Sequence, residues 1–436
     1  MKELVVQPSS LAGTVWAPPS KSLAHRALIC AALAAGTSRL RHMEASDDIL
    51  ATAAGLRALG ASIEPGPEFW TVTGGAQAAA DGGAPAQIDC GESGSTLRFL
   101  LPLFPALGRA ARFTGRGRLG LRPLAPYEEL LRARGVRWRQ EAGGGGGLDL
   151  HVSGRLTAGD FSLPGDVSSQ FVSGLCFALP LLAGPSVVRL TTELESAPYV
   201  DLTIRALSDF GVRVRARGER EYAIPGGQSY QARDAYIEGD YSQAAFFLVA
   251  GALGARVAVA GLDPDSRQGD RAILGVLTRL GHKISWQDGA VSCAAGPVPA
   301  APAEIDAAPC PDIIPAVALA AALRPGLTTT IVRAGRLRLK ECDRLDATVT
   351  ALRALGADID ERKDGMVVRG VARLRGGARL SSRGDHRMMM TLAIAAAAAA
   401  EPVTLTDPDC VRKSYPGFFT DFAALGGRMT VSGGAV

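Results

Sequence analysis

The chain has 436 residues, of which 47% are hydrophobic, 21% are charged and 6% are aromatic, and its formal net charge at pH 7 is +4. This composition is typical of a globular α/β protein and excludes an intrinsically disordered chain. The small net charge, without any Lys/Arg block interleaved with aromatic residues, gives no indication of nucleic-acid binding.

The N-terminal segment and the cysteines indicate the cellular compartment. The first apolar stretch is interrupted by Glu3 and Pro8 and is too short for a signal peptide. Seven cysteines are scattered without a CxxC pair, which is typical of a reducing cytosol and predicts no metal site. The longest apolar run, residues 171–188, contains Pro180 and Pro185 and predicts a buried helix, not a membrane span. We therefore predict a cytoplasmic protein without membrane or nucleic-acid partners.

One pattern returns six times along the chain: an apolar helix face, a glycine and then an alternating apolar strand. The glycines are spaced 70 to 76 residues apart, which is too regular for chance and predicts one supersecondary unit used six times. They are Gly60, Gly135, Gly211, Gly281, Gly356 and Gly426.

Each repeat reads as strand, helix, strand, helix and hairpin, but the sixth copy stops after the first strand of its hairpin. The N-terminal segment 4–7 resembles the missing strand, so we expect it to complete the last repeat. This predicts two domains of three repeats each, one formed by residues 19–237 and the other by residues 1–18 plus 238–436. The chain then crosses twice between the domains, and a cleft between them is a common ligand site.

A second landmark lies about forty residues before each glycine, where a polar cluster opens an apolar helix. Ser, Asp and Gly before an apolar run are helix N-cap signals. The clusters occupy residues 18–26, 91–98, 165–170, 239–243, 310–312 and 383–387. Most of them carry residues that a cap does not require.

The cations in the first half of the chain suit an anionic ligand. Lys21, Ser22 and Arg26 lie in the first turns of a predicted helix, whose free backbone N–H groups attract phosphate or carboxylate. Arg122 follows a glycine-rich loop at 115–121 that could approach an anion closely. A serine helix cap with solvated basic neighbours would also explain Lys21, Ser22 and Arg26, and a flexible surface turn would also explain Arg122.

Uncharged hydrogen-bonding groups mark the third helix start, where Ser168, Ser169 and Gln170 suit a phosphate or a sugar-like hydroxyl. A plain serine cap is the alternative.

The second half of the chain adds mixed charges at Asp312, Lys340, Glu341, Arg344, Arg387 and Lys413. An exposed helix with a Glu341–Arg344 pair, an Asp312 cap and surface charges would also account for them.

Seven of these cations lie at equivalent points of the repeat: Lys21, Arg26, Arg122, Lys340, Arg344, Arg387 and Lys413. We expect them to converge on one cleft, with Asp312 and Glu341 as the only nearby acids. Such a site suits small, multiply anionic substrates and proton transfer between them. The sequence has no nucleophile elbow, HExxH, Walker loop or Rossmann fingerprint, so hydrolase, metalloprotease, kinase and dehydrogenase chemistry is not indicated.

Ordered motifs across nearly the whole chain resemble the enolpyruvyl transferases, in particular the 5-enolpyruvylshikimate-3-phosphate (EPSP) synthase family. They are PSKSLAHR at 19–26, GSTLR at 94–98, SSQF at 168–171, SAPY at 196–199, KECDR at 340–344, DHRM at 385–388 and KSYP at 413–416. The resemblance implies a two-domain inside-out α/β barrel with three βαβαββ repeats of buried helices per domain. It also implies enolpyruvyl transfer from phosphoenolpyruvate to shikimate 3-phosphate by a monomer without a metal or other cofactor.

The same resemblance assigns residues to each substrate. Shikimate 3-phosphate is expected at Lys21, Ser22, Arg26, Ser168, Ser169, Gln170, Ser196, Asp312 and Lys340. Phosphoenolpyruvate is expected at Lys21, Gly94, Arg122, Gln170, Arg344, Arg387 and Lys413. Glu341 is expected to donate a proton to phosphoenolpyruvate, and Asp312, assisted by Lys21, is expected to accept one from the 5-hydroxyl.

The nearest alternative is the sister family that transfers enolpyruvate to UDP-N-acetylglucosamine. That family carries a reactive cysteine where this chain has Gly117 and an asparagine where it has Ser22, which disfavours it. A catalytically inactive repeat scaffold would be expected to lose Asp312 or Glu341. This chain departs from the EPSP synthase pattern at Glu92, usually asparagine, whose charge would repel phosphoenolpyruvate unless it pairs with a cation such as Arg98.

Overall fold

The computed structural model describes residues 2–75, 84–143 and 147–432. The chain divides into two compact units. The N-terminal unit is Pro19–Glu238, and the C-terminal unit combines Met1–Pro18 with Gly239–Val436. The predicted ranges differ from these units at one residue, Glu238. Each unit has its own hydrophobic core.

The described strands are numbered in chain order. They are β1 (Glu3–Gln7), β2 (Ala12–Trp16), β3 (Ala34–Ala35), β4 (Thr37–Arg41), β5 (Ser62–Glu64), β6 (Phe69–Thr73), β7 (Ala86–Asp89), β8 (Ala111–Gly115), β9 (Val136–Ala142), β10 (Leu148–Gly154), β11 (Asp160–Leu163), β12 (Ser186–Leu190), β13 (Arg215–Ala216), β14 (Glu221–Ile224), β15 (Tyr230–Gln231), β16 (Ala235–Tyr236), β17 (Arg256–Ala260), β18 (Lys283–Gln287), β19 (Ala290–Ala294), β20 (Ala303–Asp306), β21 (Thr328–Val332), β22 (Asp358–Arg362), β23 (Gly365–Arg369), β24 (Arg379–Ser381), β25 (Val403–Thr406) and β26 (Arg428–Ser432).

The described α-helices are numbered in the same way. They are α1 (Lys21–Leu33), α2 (Asp47–Ala58), α3 (Gly94–Leu100), α4 (Leu103–Ala106), α5 (Ala125–Ala133), α6 (Ser169–Ala178), α7 (Ala197–Asp209), α8 (Tyr241–Ala252), α9 (Ala272–Arg279), α10 (Ile314–Ala322), α11 (Arg344–Ala354), α12 (His386–Ala397) and α13 (Phe418–Ala424). Short 3₁₀ turns at Gly117–Leu121, Pro311–Ile313, Gly335–Leu339 and Pro408–Lys413 precede or carry candidate site residues.

Each unit contains three four-stranded sheets built on one plan, a parallel pair extended by an antiparallel hairpin. The strand orders are β16-β4-β6-β5, β7-β8-β10-β9 and β11-β12-β14-β13 in the N-terminal unit, and β18-β19-β17-β2, β20-β21-β23-β22 and β24-β25-β1-β26 in the C-terminal unit. In the last sheet Leu4 lies opposite both Leu405 and Val431. The prediction that the N-terminal strand completes the sixth repeat is therefore confirmed.

One of the predicted hairpins differs from the structure. Alternating apolar residues at 212–217 predict the first strand of the third hairpin, but the observed strand is only β13. Five consecutive glycines at 143–147 predict the turn of the second hairpin, and this turn falls partly on residues 144–146, which lie outside the described residues.

The repeat glycines have a common backbone conformation. All six have φ between 82° and 112°, the left-handed region that follows a helix C-terminus and that L side chains rarely adopt. This explains why glycine recurs at the same point of every repeat.

The helices that follow the polar clusters are buried. Every residue of α8, α10 and α12 is buried, as expected for helices that are apolar nearly all round. In the N-terminal unit the apolar residues 97–105 predict one buried helix, but the structure has two, α3 and α4, because Pro102 lacks the N–H needed to continue the first helix. The apolar run at 171–188 becomes helix α6, a turn and the start of β12. No helix of the described part of the chain is long and apolar enough to cross a membrane.

Candidate active site

Six sequence-predicted residues of the C-terminal unit form one network with Asp385. We call it the C-terminal cluster: Asp312, Lys340, Glu341, Arg344, Asp385, Arg387 and Lys413. Four structural features position these side chains: the 3₁₀ turn before α10, the segment before α11 together with the first residue of that helix, the start of α12 and the turn at Pro408–Lys413. The repeat therefore brings together residues that are distant in sequence.

Arg344 is the centre of the C-terminal cluster. Its side chain is 1% exposed and donates from Nε to Asp385 (2.7 Å), from Nη1 to Asp312 (2.8 Å) and from Nη2 to Glu341 (2.6 Å). Burial lowers the pKa of a guanidinium, but these carboxylates hold the pKa of Arg344 well above its ordinary value. The alternative of an exposed Glu341–Arg344 pair on a surface helix is therefore wrong.

Asp312 is surrounded by cations. Its carboxylate accepts from Arg344, from Lys340 Nζ at 3.2 Å and from Arg387 Nη2 at 3.2 Å. Burial alone would raise the pKa of Asp312, but the charges of Arg387, Lys340 and Arg344 bring it well below its ordinary value. Asp312 makes no side-chain cap to its helix. Asp312 is therefore an ionised member of the C-terminal cluster and not a helix cap.

The remaining members of the C-terminal cluster are also shielded from solvent. Glu341 pairs with Lys413 Nζ at 3.4 Å as well as with Arg344. Burial lowers the pKa of Lys340, although Asp312 partly offsets the effect. Arg387 and Lys413 are 4% and 6% exposed, so the interpretation of both as surface charges is wrong.

Two acids beside the predicted cations were missed by the sequence reasoning. Asp385 is fully buried, contacts Arg344 and caps α12 by accepting from the backbone N–H of Arg387 and Met388. Asp48, at the start of α2, accepts from Lys21 Nζ at 2.6 Å. The expectation that Asp312 and Glu341 are the only nearby acids is therefore wrong. Asp385 lay inside a marked helix start, whereas Asp48 carried only the general signal of an acid in a first helical turn.

In the N-terminal unit, Lys21 and Arg26 extend from α1. Arg26 is 2% exposed, and its three side-chain hydrogen bonds go to neutral oxygen atoms: Thr203 Oγ1 (2.9 Å) and the carbonyls of Ser22 (2.6 Å) and Tyr199 (2.7 Å). Burial without a carboxylate contact lowers the pKa of Arg26 to about 10. A buried cation held in this way favours binding of an anion.

A second group in the N-terminal unit joins α3, α6 and the turn at Gly117–Leu121. Arg98 Nη1 donates to Gln170 Oε1 at 2.8 Å, and Gln170 Nε2 donates to Ser95 Oγ at 2.9 Å. A Cβ added to Gly94 would lie 2.6 Å from Arg122 Nη1 and 3.6 Å from Gln170 Oε1. Gly94, Arg122 and Gln170 therefore meet as predicted, and Arg98 is a further member that the sequence reasoning did not select.

The predicted serines occupy helix starts of the N-terminal unit. Ser168 caps α6 by accepting from the backbone N–H of Gln170, and Ser169 is the buried first residue of that helix. Ser196 precedes α7 with φ 56°, and its carbonyl accepts from the backbone N–H of Tyr199. Tyr199 in turn holds Arg26 through its carbonyl, which links Ser196 to that cation. The serine-cap interpretation of Ser168 is therefore correct, without excluding a ligand at its neighbours.

Comparisons with known proteins identify the family. The sequence profile of EPSP synthase (3-phosphoshikimate 1-carboxyvinyltransferase) matches residues 5–422. The chain belongs to the EPSP synthase family. A 3-phosphoshikimate 1-carboxyvinyltransferase from Clostridium botulinum (strain Eklund 17B / Type B) is 46% identical over 426 residues, covering 97% of both chains. One from Clostridioides difficile (strain 630) is 44% identical and covers 98% of both.

Solved structures of EPSP synthases agree with this assignment. The 2.37 Å structure of the enzyme from Acinetobacter baumannii is 25% identical to this chain, with a TM-score of 0.81 over 99% of this chain and 100% of that one. The predicted two-domain inside-out α/β fold, the fold of EPSP synthases, is thereby confirmed.

Proposed function

We propose that this chain transfers the enolpyruvyl group of phosphoenolpyruvate to the 5-hydroxyl of shikimate 3-phosphate and releases phosphate, a step of aromatic amino-acid biosynthesis. The observation that carries the proposal is the C-terminal cluster. Its two candidate proton-transfer groups, Asp312 and Glu341, are each paired with two or more cations. Membership of the EPSP synthase family and relatives named for this reaction support the same conclusion.

In this proposal the N-terminal unit mainly holds shikimate 3-phosphate. Arg26 supports the choice because the hydrogen bonds of its buried guanidinium within the described part of the chain go to neutral oxygens, so an anionic substrate would improve the compensation of its charge. The proposed contacts are Lys21, Ser22, Arg26, Ser168, Ser169, Gln170 and Ser196, with Asp312 and Lys340 from the C-terminal unit.

Phosphoenolpyruvate is proposed to contact cations of both units: Lys21, Arg122, Arg344, Arg387 and Lys413, with Gly94 and Gln170. Gly94 has a physical reason to lack a side chain, since a Cβ would overlap the Arg122 guanidinium. Arginine binds carboxylate and phosphate with parallel N–H donors, which favours a fixed orientation of the substrate.

The reaction begins with a proton transfer at each acid. As the 5-hydroxyl oxygen attacks C2 of phosphoenolpyruvate, Asp312, assisted by Lys21, accepts the hydroxyl proton. The double-bond electrons move to C3, which takes a proton from Glu341. Asp312 is ionised as a base must be, because three cations lower its pKa.

Those same cations make Asp312 a weak base for as long as they remain paired with its carboxylate. When the phosphoenolpyruvate carboxylate binds Arg344 and Arg387, both donors turn from Asp312 to the substrate, which increases its basicity. The negative charge of the substrate near Arg344 and Lys413 likewise favours the protonated form of Glu341, the form that can donate. Substrate binding therefore prepares both groups for their roles.

Addition produces a tetrahedral ketal phosphate. The bond from C2 to the phosphate oxygen then breaks, the Glu341 carboxylate recovers a proton from C3, and the double bond reforms. The proton on Asp312 leaves with phosphate, so the protein returns to its starting state. The surrounding cations stabilise the anionic intermediate, and preorganised charge of this kind is usually the largest catalytic contribution.

Transfer to UDP-N-acetylglucosamine is less well supported. The reactive cysteine of that family would fall on Gly117, where a Cβ would lie 2.2 Å from Glu92 Oε1, on a backbone with φ 59°. A side chain at this position would displace Glu92 and strain the turn. Glu92, which departs from the family pattern, thus packs against the glycine that replaces the cysteine.

A phosphate-release assay tests the proposed function. Purified protein with phosphoenolpyruvate and shikimate 3-phosphate should release one phosphate per molecule of enolpyruvyl product, and neither substrate alone should release any. Folded protein that is inactive with this pair, or active only with UDP-N-acetylglucosamine, would contradict the proposal.

We further propose that the active species is a cytoplasmic monomer. Light scattering of the active protein would check its oligomeric state, and fractionation of the source cells would check its location.

A further inference from the structure

The fourth helix start contributes a contact that the assigned roles leave unused. Ser242 is the second residue of α8 and is 3% exposed. Its Oγ lies 3.1 Å from Arg387 Nη2 and 2.5 Å from Asp240 Oδ1. Ser242 therefore stands between a carboxylate and a cation of the C-terminal cluster.

The chemistry of the three groups fixes the direction of both hydrogen bonds. Arginine can only donate, so the Ser242 oxygen accepts from Arg387. Asp240 Oδ1 also accepts from the backbone N–H of Ser242 (2.8 Å) and of Gln243 (3.1 Å), so it acts as an acceptor towards the hydroxyl. The Ser242 hydroxyl thus donates to Asp240 while it receives from Arg387.

This arrangement differs from the support given to Arg344. Arg344 contacts the buried Asp385 carboxylate directly, whereas Arg387 meets the carboxylate of Asp240 through a neutral hydroxyl. Arg387 Nη2 therefore has one neutral acceptor, the Ser242 hydroxyl, and one charged acceptor, the Asp312 carboxylate at 3.2 Å. Burial lowers the pKa of Arg387, but Asp312 and, more weakly, Asp270 and Asp240 raise it above its ordinary value.

The other terminal nitrogen of Arg387 is left as a donor. Within residues 2–75, 84–143 and 147–432, Nη1 is buried and has no hydrogen-bond partner. A buried charged donor without an acceptor is costly unless a ligand supplies one. In the proposed mechanism the Asp312 contact of Nη2 is released when the substrate binds, whereas the Ser242 contact can persist. The Ser242 contact then restricts the guanidinium to an orientation in which Nη1 remains available.

We propose that Ser242, polarised by Asp240, is a positioning residue that orients Arg387 for binding of the phosphoenolpyruvate carboxylate. The inference rests on the proposed function, since it concerns the substrate assigned to Arg387. It assigns a role to the helix start at 239–243, the only one of the six without a site residue among those predicted. Ser242 itself need not touch either substrate.

Steady-state kinetics of Ser242→Ala test the proposal. We expect the KM for phosphoenolpyruvate to rise about tenfold, consistent with loss of a hydrogen bond to a charged group, while the KM for shikimate 3-phosphate stays within about twofold. Ser242→Thr, which keeps a hydroxyl, should recover most of the affinity. Thr329→Val is the control, because it removes a buried hydroxyl of the same unit that has no hydrogen-bond partner among the residues the structure describes.

Asp240→Asn separates positioning from helix capping. Asparagine caps a helix about as well as aspartate, so α8 should be retained while the charge behind Ser242 is lost. We expect a rise of about threefold in the KM for phosphoenolpyruvate from this weaker polarisation. This variant also serves if Ser242→Ala does not fold.

The outcomes distinguish this inference from the proposed function. Equal rises in both KM values, no change in either, or the same effect in Thr329→Val would overturn the positioning role while wild-type turnover upheld the function. Absence of turnover in folded wild-type protein would overturn both.

Discussion

Two buried arginines, one in each unit, show opposite solutions to the burial of a positive charge. Arg344 is surrounded by three carboxylates, and its pKa is raised. Among the described residues, Arg26 is bound by a hydroxyl and two carbonyls and by no carboxylate, and its pKa falls to about 10. Since both residues are no more than 2% exposed, their partners and not their burial account for the difference.

The comparison suggests that the C-terminal cluster and the surroundings of Arg26 have different roles. Cations already paired with acids can exchange a protein carboxylate for a substrate anion, and this exchange changes the proton affinity of the released acid. A cation bound by neutral groups gains charge compensation only from its ligand. The C-terminal cluster is therefore suited to proton transfer, and the Arg26 region is suited to binding.

The largest effect is expected for Glu341→Gln, which keeps the shape of the side chain but removes its transferable proton. We expect kcat to fall by about a thousandfold or more, in the upper range for loss of a general acid, while shikimate 3-phosphate still binds in calorimetry. Glu361→Gln, a carboxylate paired with Arg338 outside the cluster, is the control. Undiminished kcat in Glu341→Gln would remove the residue from its proposed role. It would also weaken the distinction between a C-terminal cluster suited to proton transfer and an Arg26 region suited to binding.

A stability difference between Arg344→Met and Arg26→Met is the next effect in size. Arg344→Met leaves three carboxylates without their common cation and should lower the free energy of unfolding by about 3–5 kcal/mol. Arg26→Met removes a charge that has no carboxylate contact and should cost about 1 kcal/mol. Urea unfolding measures both changes, and equal losses would show that the two sites do not differ as described.

A smaller effect is the pH dependence of stability that Asp312 contributes. Because its pKa in the folded protein lies below the unfolded value of about 3.9, the ionised form stabilises the fold above that pH. The stability is lost as pH falls through the unfolded value towards the folded one. The difference in unfolding free energy between wild type and Asp312→Asn should be constant from about pH 5 to 8 and shrink below about pH 4. A constant difference down to pH 3 would argue against a lowered pKa.

The smallest effect is expected for Gly94→Ala in the N-terminal unit. Its Cβ would displace the flexible end of Arg122 without disturbing α3, so the KM for phosphoenolpyruvate should rise by about three- to tenfold, or roughly 1 kcal/mol. Gly275→Ala, in the middle of α9, is the matched control because, apart from its chain neighbours and the backbone of its own helix, no atom of the described residues lies within 4 Å of the added Cβ. It should leave KM unchanged and add about 0.5–1 kcal/mol of stability. Similar kinetics in the two variants would exclude a role for the missing side chain at Gly94.

Much of the architecture could be predicted because it is written in short, local patterns. A glycine with positive φ follows a helix at each of six points, and an apolar run follows each polar cap. The incomplete sixth repeat required another strand, and β1 supplies it. Detail was lost where local chemistry interrupts the pattern, as at Pro102 between α3 and α4.

The candidate site was predictable in its membership but not in its pairing. Residue types at the helix starts, together with the family motifs, selected all six predicted members of the C-terminal cluster. They did not indicate that Asp385 would hold Arg344 or that Asp48 would hold Lys21, since these partners are 41 and 27 residues apart. The first pair is formed by packing between two repeats and the second by packing between two helices of one repeat, and neither kind of contact is described by the apolar periodicity of a single element.

The sequence by itself therefore determined the sixfold repeat, the buried helices and the residue types at their starts, because backbone conformation and apolar periodicity are local properties. Only the tertiary structure decided which cations contact carboxylates and which contact neutral oxygens. Burial and neighbouring charge set the pKa of a group, and both arise when distant helix starts are brought together. That is why Arg26 and Arg344, alike as residues in the sequence, differ in the folded protein.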